Sequence, residues 1–180
     1  MTTEATKPPK HFSFATDKEC RMVPLEIKGK YGADSLTTEP KISAEELTEY
    51  LRVEFPQVFD NPRDMEIEAL GYGDVTVRLM VKDHHLRPGG TVSGPSMMTL
   101  VDCAAYVSVL SMVGRKALAV TTNLNINFLR KPPAGSDLLC DCHPLKLGKS
   151  LFVCDALVYG AEDKEKTPLA HATLTYSIPK

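Results

Sequence analysis

The sequence has no surplus of either charge. Lysine and arginine number 21 against 23 acidic residues, a formal net of −2. Such a chain sets up no broad positive field, which argues against a general nucleic-acid binder, although a local basic patch remains open. Neither GxGxxG nor a P-loop occurs, so the usual glycine-rich routes to nucleotide binding are missing. The five cysteines include no CxxC pair and no Cys/His cluster, so no metal is expected. An odd count without a framework of spacings also speaks against a disulfide-stapled domain and fits a reducing cytoplasm. The opening residues, MTTEATKPPK, lead into no apolar targeting segment. There is no internal repeat and no low-complexity tract.

What is present suits one domain. The chain has 180 residues, 43% hydrophobic and 24% charged, enough for a real core. Its most apolar stretch is GPSMMTLVDCAAYVSVLSMVG, from Gly94 to Gly114, in which Asp102 is the lone charge. The length approaches that of a membrane span. An Asp at the bilayer centre costs roughly 2.5–3.5 kcal/mol, and the many small residues offset little of it. A buried helix of a globular protein is the better reading, and no membrane partner is expected.

Around that helix the pattern is strand-like. Residues 1–42 are irregular and read as an N-terminal extension, in which CRMVPLEIKGKYG could form one short strand. The domain proper spans 43–180. It begins with a helix, capped by Ser43 with Glu46 and striped by Leu47, Tyr50, Leu51 and Phe55; Pro56 ends it or starts a last turn. MEIEALGYGDVTVRLMV predicts a hairpin about Gly71–Gly73, with Met65, Ile67 and Ala69 on one face and Val75, Val77 and Leu79 on one face. After the apolar helix come four more strand candidates, separated by KPPAGS, LGKS and GAEDKEKTP. A helix apolar nearly all round must be covered nearly all round. The class is therefore α+β, with a curved antiparallel sheet wrapped about one long helix.

RPGGTVSGPSMMTLVDCAA followed by TTNLNINFLRKPPAG resembles the hotdog-fold thioesterases of the phenylacetate-degradation (PaaI-like) branch, over residues 60–178. That family usually carries an Asn, a Gly and then His-Gly-Gly before the helix, and an acid on it. Here those positions fall on Arg87, Gly90, then Ser93, Gly94 and Pro95, and Asp102. The resemblance implies the hotdog fold and an acyl-CoA thioesterase, with coenzyme A as part of the substrate and no prosthetic cofactor.

The residues support that chemistry on their own terms. The Gly94 N–H is free to meet a ligand, Pro95 suits the first helical position, and the helix dipole favours a developing oxyanion. Asp102 lies eight residues on, roughly 12 Å along the helix axis, too far to act on the same carbonyl. A two-fold dimer with antiparallel helices brings Gly94 of one chain to Asp102 of the other, so the chemistry demands a composite interface site. There Asp102 acts as general base or nucleophile. The plainer alternative is that Asp102 pairs with Arg87, or with Thr121, Thr122 and Asn123, and does nothing else.

Arg87 is read as a substrate group, a partner for Asp102 or a surface arginine, and Ser93 as a substrate donor or the helix N-cap. Gly90, Pro95, Thr121 and Asn123 complete the expected substrate-binding set. Arg130 and Lys131, with Lys146 and Lys149 nearby, are placed at a rim suited to CoA phosphates. Met97, Met98, Val101 and Tyr106 are candidate pocket walls. His84 and His85 are read as structural, one of them inward; His143 and His171 have no metal spacing. Partners are then an acyl-CoA and further copies of the chain, as a homodimer or homotetramer. Two rivals stand beside this: a ligand-binding hotdog protein without turnover, and a hotdog dehydratase or hydratase, which needs a His paired with an acid.

Overall fold

The computed structural model describes residues 39–180. The strand read in CRMVPLEIKGKYG, and most of the extension, lie outside them. The described chain begins pinned: the Lys41 N–H donates to Ser111 O at 2.8 Å and Ile42 is buried.

Helix α1 (Ala44–Glu54) carries the expected capping box, Ser43 Oγ accepting from the Glu46 N–H and Glu46 from the Ser43 N–H. It buries Leu47 and Leu51. Pro56 opens a separate turn, α2 (Pro56–Phe59). The hairpin follows as β1 (Met65–Leu70) and β2 (Val75–Leu79). A short ribbon, β3 (Leu86–Arg87) with β4 (Thr91–Val92), leads into α3 (Gly94–Val113). The strands β5 (Val120–Phe128), β6 (Leu138–Leu147), β7 (Leu151–Gly160) and β8 (Ala170–Ser177) complete the domain.

Six strands form one sheet in the order β1-β2-β6-β7-β8-β5, every neighbouring pair antiparallel. The sheet curves around α3, which buries Leu100, Val101, Ala104, Ala105, Val107, Val109 and Leu110 completely. This is the expected hotdog architecture. Although α3 is as long and apolar as a membrane span, 67% of its apolar window is covered by the rest of the domain.

Two polar groups on that apolar helix have structural work. Ser108 Oγ donates to Gly73 O, and Ser111 Oγ accepts from the Gly73 N–H at 2.9 Å. They satisfy a hairpin turn that would otherwise be buried unpaired. Gly73 has φ +86°, and a Cβ there would lie 2.6 Å from Pro144 Cγ and 2.7 Å from Met112 Sδ, so no other residue fits.

The expected alternation fails at two β-bulges. In β1, Ile67 faces Val77 but Ala69 faces Thr76, so Ala69 turns outward and Leu70 takes the inner side. In β5, Thr121 faces Tyr176 while Asn123 faces Thr175. Residue 122 is the extra one, and beyond it the inward set is Leu124, Ile126 and Phe128. The second bulge bears directly on the site.

Candidate active site

Asp102 sits on α3 beneath the inner face of β5 and β8. Its Oδ1 accepts from Thr121 Oγ1 at 2.6 Å and lies 2.7 Å from the Tyr176 hydroxyl, which is also 2.8 Å from Asp102 O. No hydrogen bond from the described residues reaches Oδ2. The half-buried carboxylate therefore keeps one oxygen free. A cavity of about 430 Å³ opens there, walled by Asp102, Thr121, Tyr176, Tyr106, Leu118 and Phe55. Burial pushes the Tyr176 hydroxyl far above the usual tyrosine range, with the Asp102 charge acting the same way, so it stays a donor. Tyr106 is pushed up to about 12, first by burial and then by Tyr50 and Glu54.

Nothing cationic pairs with Asp102 among the described residues. Arg87 is exposed at the far end of α3, so the expected Arg87–Asp102 pair does not form within the chain. Arg87 instead shares a second cleft, about 410 Å³, with Gly94, Met97, Phe128, Arg130 and Lys131. The basic residues read as a phosphate rim thus do gather, and they gather at the helix start. Lys146 and Lys149 belong to the β6–β7 hairpin and line neither cleft.

Gly94 is the first residue of α3 and Pro95 the second, one step later than expected. The Ser96 N–H is taken by Ser93 Oγ at 3.2 Å, and Pro95 has no N–H. Among the described residues the Gly94 N–H has no acceptor, so it is the one amide of this helix start that a ligand could use. A Cβ on Gly94 would lie 3.2 Å from Phe128 Cζ, so the glycine also lets the aromatic ring close the cleft wall.

Ser93 is the N-cap, and its hydroxyl also contacts Ser96 Oγ at 2.8 Å. Ser93 and Pro95 line a third cleft, on the side of the helix away from Arg87, with Asp64, His84, His85 and Ser96. They are therefore not grouped with Gly94 and Arg130 as substrate residues. Gly90 closes a turn: its N–H donates to Arg87 O at 3.0 Å, with Pro88 second and Gly89 third at φ +98°. Gly90 itself has φ +72° and open space around it, a backbone conformation that favours glycine. Asn123 is a correction. The β5 bulge rotates it onto the outer face with Asn125 and Asn127, away from the Asp102 cavity. Of the candidate pocket walls, Tyr106 lines the Asp102 cavity and Met97 the Gly94 cleft, while Val101 is sealed in the core and Met98 points to solvent.

Of the two adjacent histidines, His85 is the inward one. Asp64 Oδ2 lies 2.9 Å from His84 Nε2 and 3.6 Å from His85 Nε2, and these three side chains cluster closely enough to suggest a metal. The set does not fit one. His85 Nδ1 accepts from the Lys82 N–H at 3.0 Å, which places the neutral ring's proton on Nε2 and leaves no lone pair there. Burial lowers the His85 pKa, aided by His84, and keeps the ring neutral. Lys82 Nζ, 2.9 Å from Asp64 Oδ1, already supplies the positive charge. No histidine among the described residues lines the Asp102 cavity, so those residues assemble no acid–His pair there.

Tyr176, Tyr106 and Phe55 are site residues whose grouping sequence reasoning missed. A tyrosine in the inward register of LAHATLTYSI signals a polar tip that needs a partner. It does not say which, because β8 meets β5 and α3 only through the sheet order.

Comparison with known proteins bears on the family and the fold. Residues 89–167 match the model of the thioesterase superfamily. The crystal structure of a putative thioesterase from Silicibacter sp. TM1040 is 46% identical, with a TM-score of 0.72, covering 79% of this chain and 96% of that one. A Streptococcus mutans protein solved with acetyl-CoA is 29% identical with a TM-score of 0.58, covering 68% and 91%. Acyl-coenzyme A thioesterase 13 of Homo sapiens is 32% identical over 79 residues, 44% of this chain; the chain spans 56% of that curated relative's length. On the 46% identity sustained over nearly the whole Silicibacter structure, this chain belongs to the hotdog-fold thioesterase superfamily.

Proposed function

We propose that the chain hydrolyses acyl-CoA thioesters at sites built from two protomers. The observation that carries this reading is the placement of two incomplete half-sites at opposite ends of one edge strand. Thr121, at the start of β5, bonds the Asp102 carboxylate. Phe128, at its end, packs over Gly94 beside Arg87, Arg130 and Lys131. Among the described residues β5 pairs only with β8, and no described strand covers its other edge. Antiparallel pairing of two such edges about a two-fold axis at Leu124 sets Val120 opposite Phe128. The Asp102 cavity of one chain then faces Gly94 of the partner subunit.

In that arrangement the CoA phosphates meet Arg87, Arg130 and Lys131 of the partner subunit, while the acyl group enters the cavity walled by Phe55, Tyr106 and Leu118. Asp102 Oδ2 takes a proton from water as hydroxide adds to the thioester carbon, or it attacks that carbon itself. On either route the carbonyl oxygen gains the negative charge, which the Gly94 N–H and the positive helix end receive. The C–S bond then breaks and CoA leaves as a thiolate; on the second route the acyl group stays on Asp102 as an anhydride, which water cleaves to release the acid and restore the carboxylate. The acetyl-CoA held by the similar Streptococcus mutans protein supports this substrate class.

The test is thiol release across a panel from acetyl-CoA to palmitoyl-CoA, including phenylacetyl-CoA. Turnover by wild type and its loss in a folded, dimeric Asp102→Asn support the hydrolase. CoA binding without thiol release from any member would make the chain a binding protein instead.

A further inference from the structure

Asp102 presents two unlike oxygens. Thr121 Oγ1 and the Tyr176 hydroxyl both sit on Oδ1, at 2.6 and 2.7 Å, and Oδ2 has neither. Tyr176 is buried and cannot swing away: its ring stacks on Tyr106 with centroids 6.3 Å apart and planes 22° from parallel. The Tyr106 hydroxyl is itself tied to Ala117 O at 3.0 Å. The tyrosine hydroxyl thus reaches the carboxylate from a fixed platform, and its single proton is shared between Asp102 O and Oδ1.

We propose that Tyr176 is a positioning residue that holds the Asp102 carboxylate in one orientation, Oδ1 anchored and Oδ2 facing the substrate. This rests on the thioester-hydrolase reading and adds a residue to it. Both hydrogen bonds of the Tyr176 hydroxyl named above go to Asp102, not to a reacting atom. Tyr176 acts by fixing the rotamer of the reacting carboxylate. A hydrogen bond to a charged group carries about 1.5–3 kcal/mol, or roughly 10- to 150-fold in rate when its benefit lies in the reacting geometry.

The experiment compares wild type, Tyr176→Phe and Asp102→Asn in thiol release. Tyr176→Phe is expected to lower kcat about 10- to 100-fold with KM changed less than about threefold. Replacing Tyr176 by a ring-fluorinated tyrosine keeps both the shape and the donor, so kcat should stay within about threefold of wild type; a loss as large as that of Tyr176→Phe would point to packing instead. Wild-type kcat in Tyr176→Phe, with Asp102→Asn inactive, would likewise reduce Tyr176 to packing. Full activity in Asp102→Asn would instead overturn the hydrolase reading beneath it.

Discussion

Among the described residues Asp102 is held by two neutral donors and no cation, and that decides how its loss should behave. Asn at 102 keeps nearly the same shape but neither base nor nucleophile, so thiol release should fall by about 10²–10⁴-fold while the melting temperature changes little. Ser93 makes the opposite prediction. Its hydroxyl caps α3, so Ser93→Ala should destabilise the fold by about 1 kcal/mol in urea titration, with kcat and KM near wild type. A large KM change without a stability loss would restore Ser93 as a substrate group. At this scale the chain was partly readable. Asp102 announces itself as the only charge in an apolar helix, and Gly94 by its place at the helix start. Asn123 was grouped with its neighbour Thr121, and nothing in the sequence marks the extra residue at the β5 bulge that turns it to the outer face. Tyr176 went unseen as a ligand of Asp102 because 74 residues separate the two in sequence.

Elements were the most legible level. The capping box placed α1, period-two runs placed six strands, and the apolar helix demanded a wrapping sheet. Sequence did not supply the strand order, which depends on distant pairings. Nor did it reveal that α1 ends against the Asp102 cavity through Glu54 and Phe55. Two predictions belong here. Gly73→Ala should cost about 2–4 kcal/mol by chemical denaturation, because positive φ and overlap with Pro144 and Met112 add together. Asp141, on β6, ties β2, β7 and the loop after β7 through Thr76 at 2.8 Å, Tyr159 at 2.8 Å and Lys166 at 2.6 Å. Burial opposes its ionisation, but the bonds from Lys166, Thr76 and Tyr159 outweigh that and hold its carboxyl below the usual carboxylate range. A carboxyl so depressed lends stability that is complete above its unfolded value, about pH 4, and fades as pH falls through the folded value. Stability measured from pH 6 to pH 2 should therefore drop less steeply in Asp141→Asn than in wild type, from a lower starting point. Equal slopes would place the acid sensitivity elsewhere.

For the whole molecule, no described strand covers the outer edge of β5, and the proposed function depends on a second copy pairing there. The outer face of that edge carries Asn123, Asn125 and Asn127. A two-fold axis at Leu124 sets Asn123 opposite Asn125 of the partner subunit. The pair Asn123→Asp with Asn125→Asp then faces like charges across the seam without touching the core. Sedimentation should show a weakened dimer, and activity should fall with it and recover as protein concentration rises. Subunit complementation tests the composite site most directly. Asp102→Asn lacks the carboxylate, and Gly94→Val blocks the oxyanion position, so each homodimer should be inactive. A heterodimer of the two holds one intact site, Gly94 from the first chain with Asp102 from the second. Unfolding and refolding the two together at equal amounts should restore about one quarter of wild-type thiol release, since half the dimers are mixed and each has one working site of two. Mixed dimers that form in those proportions but release no thiol would contradict a site shared between protomers.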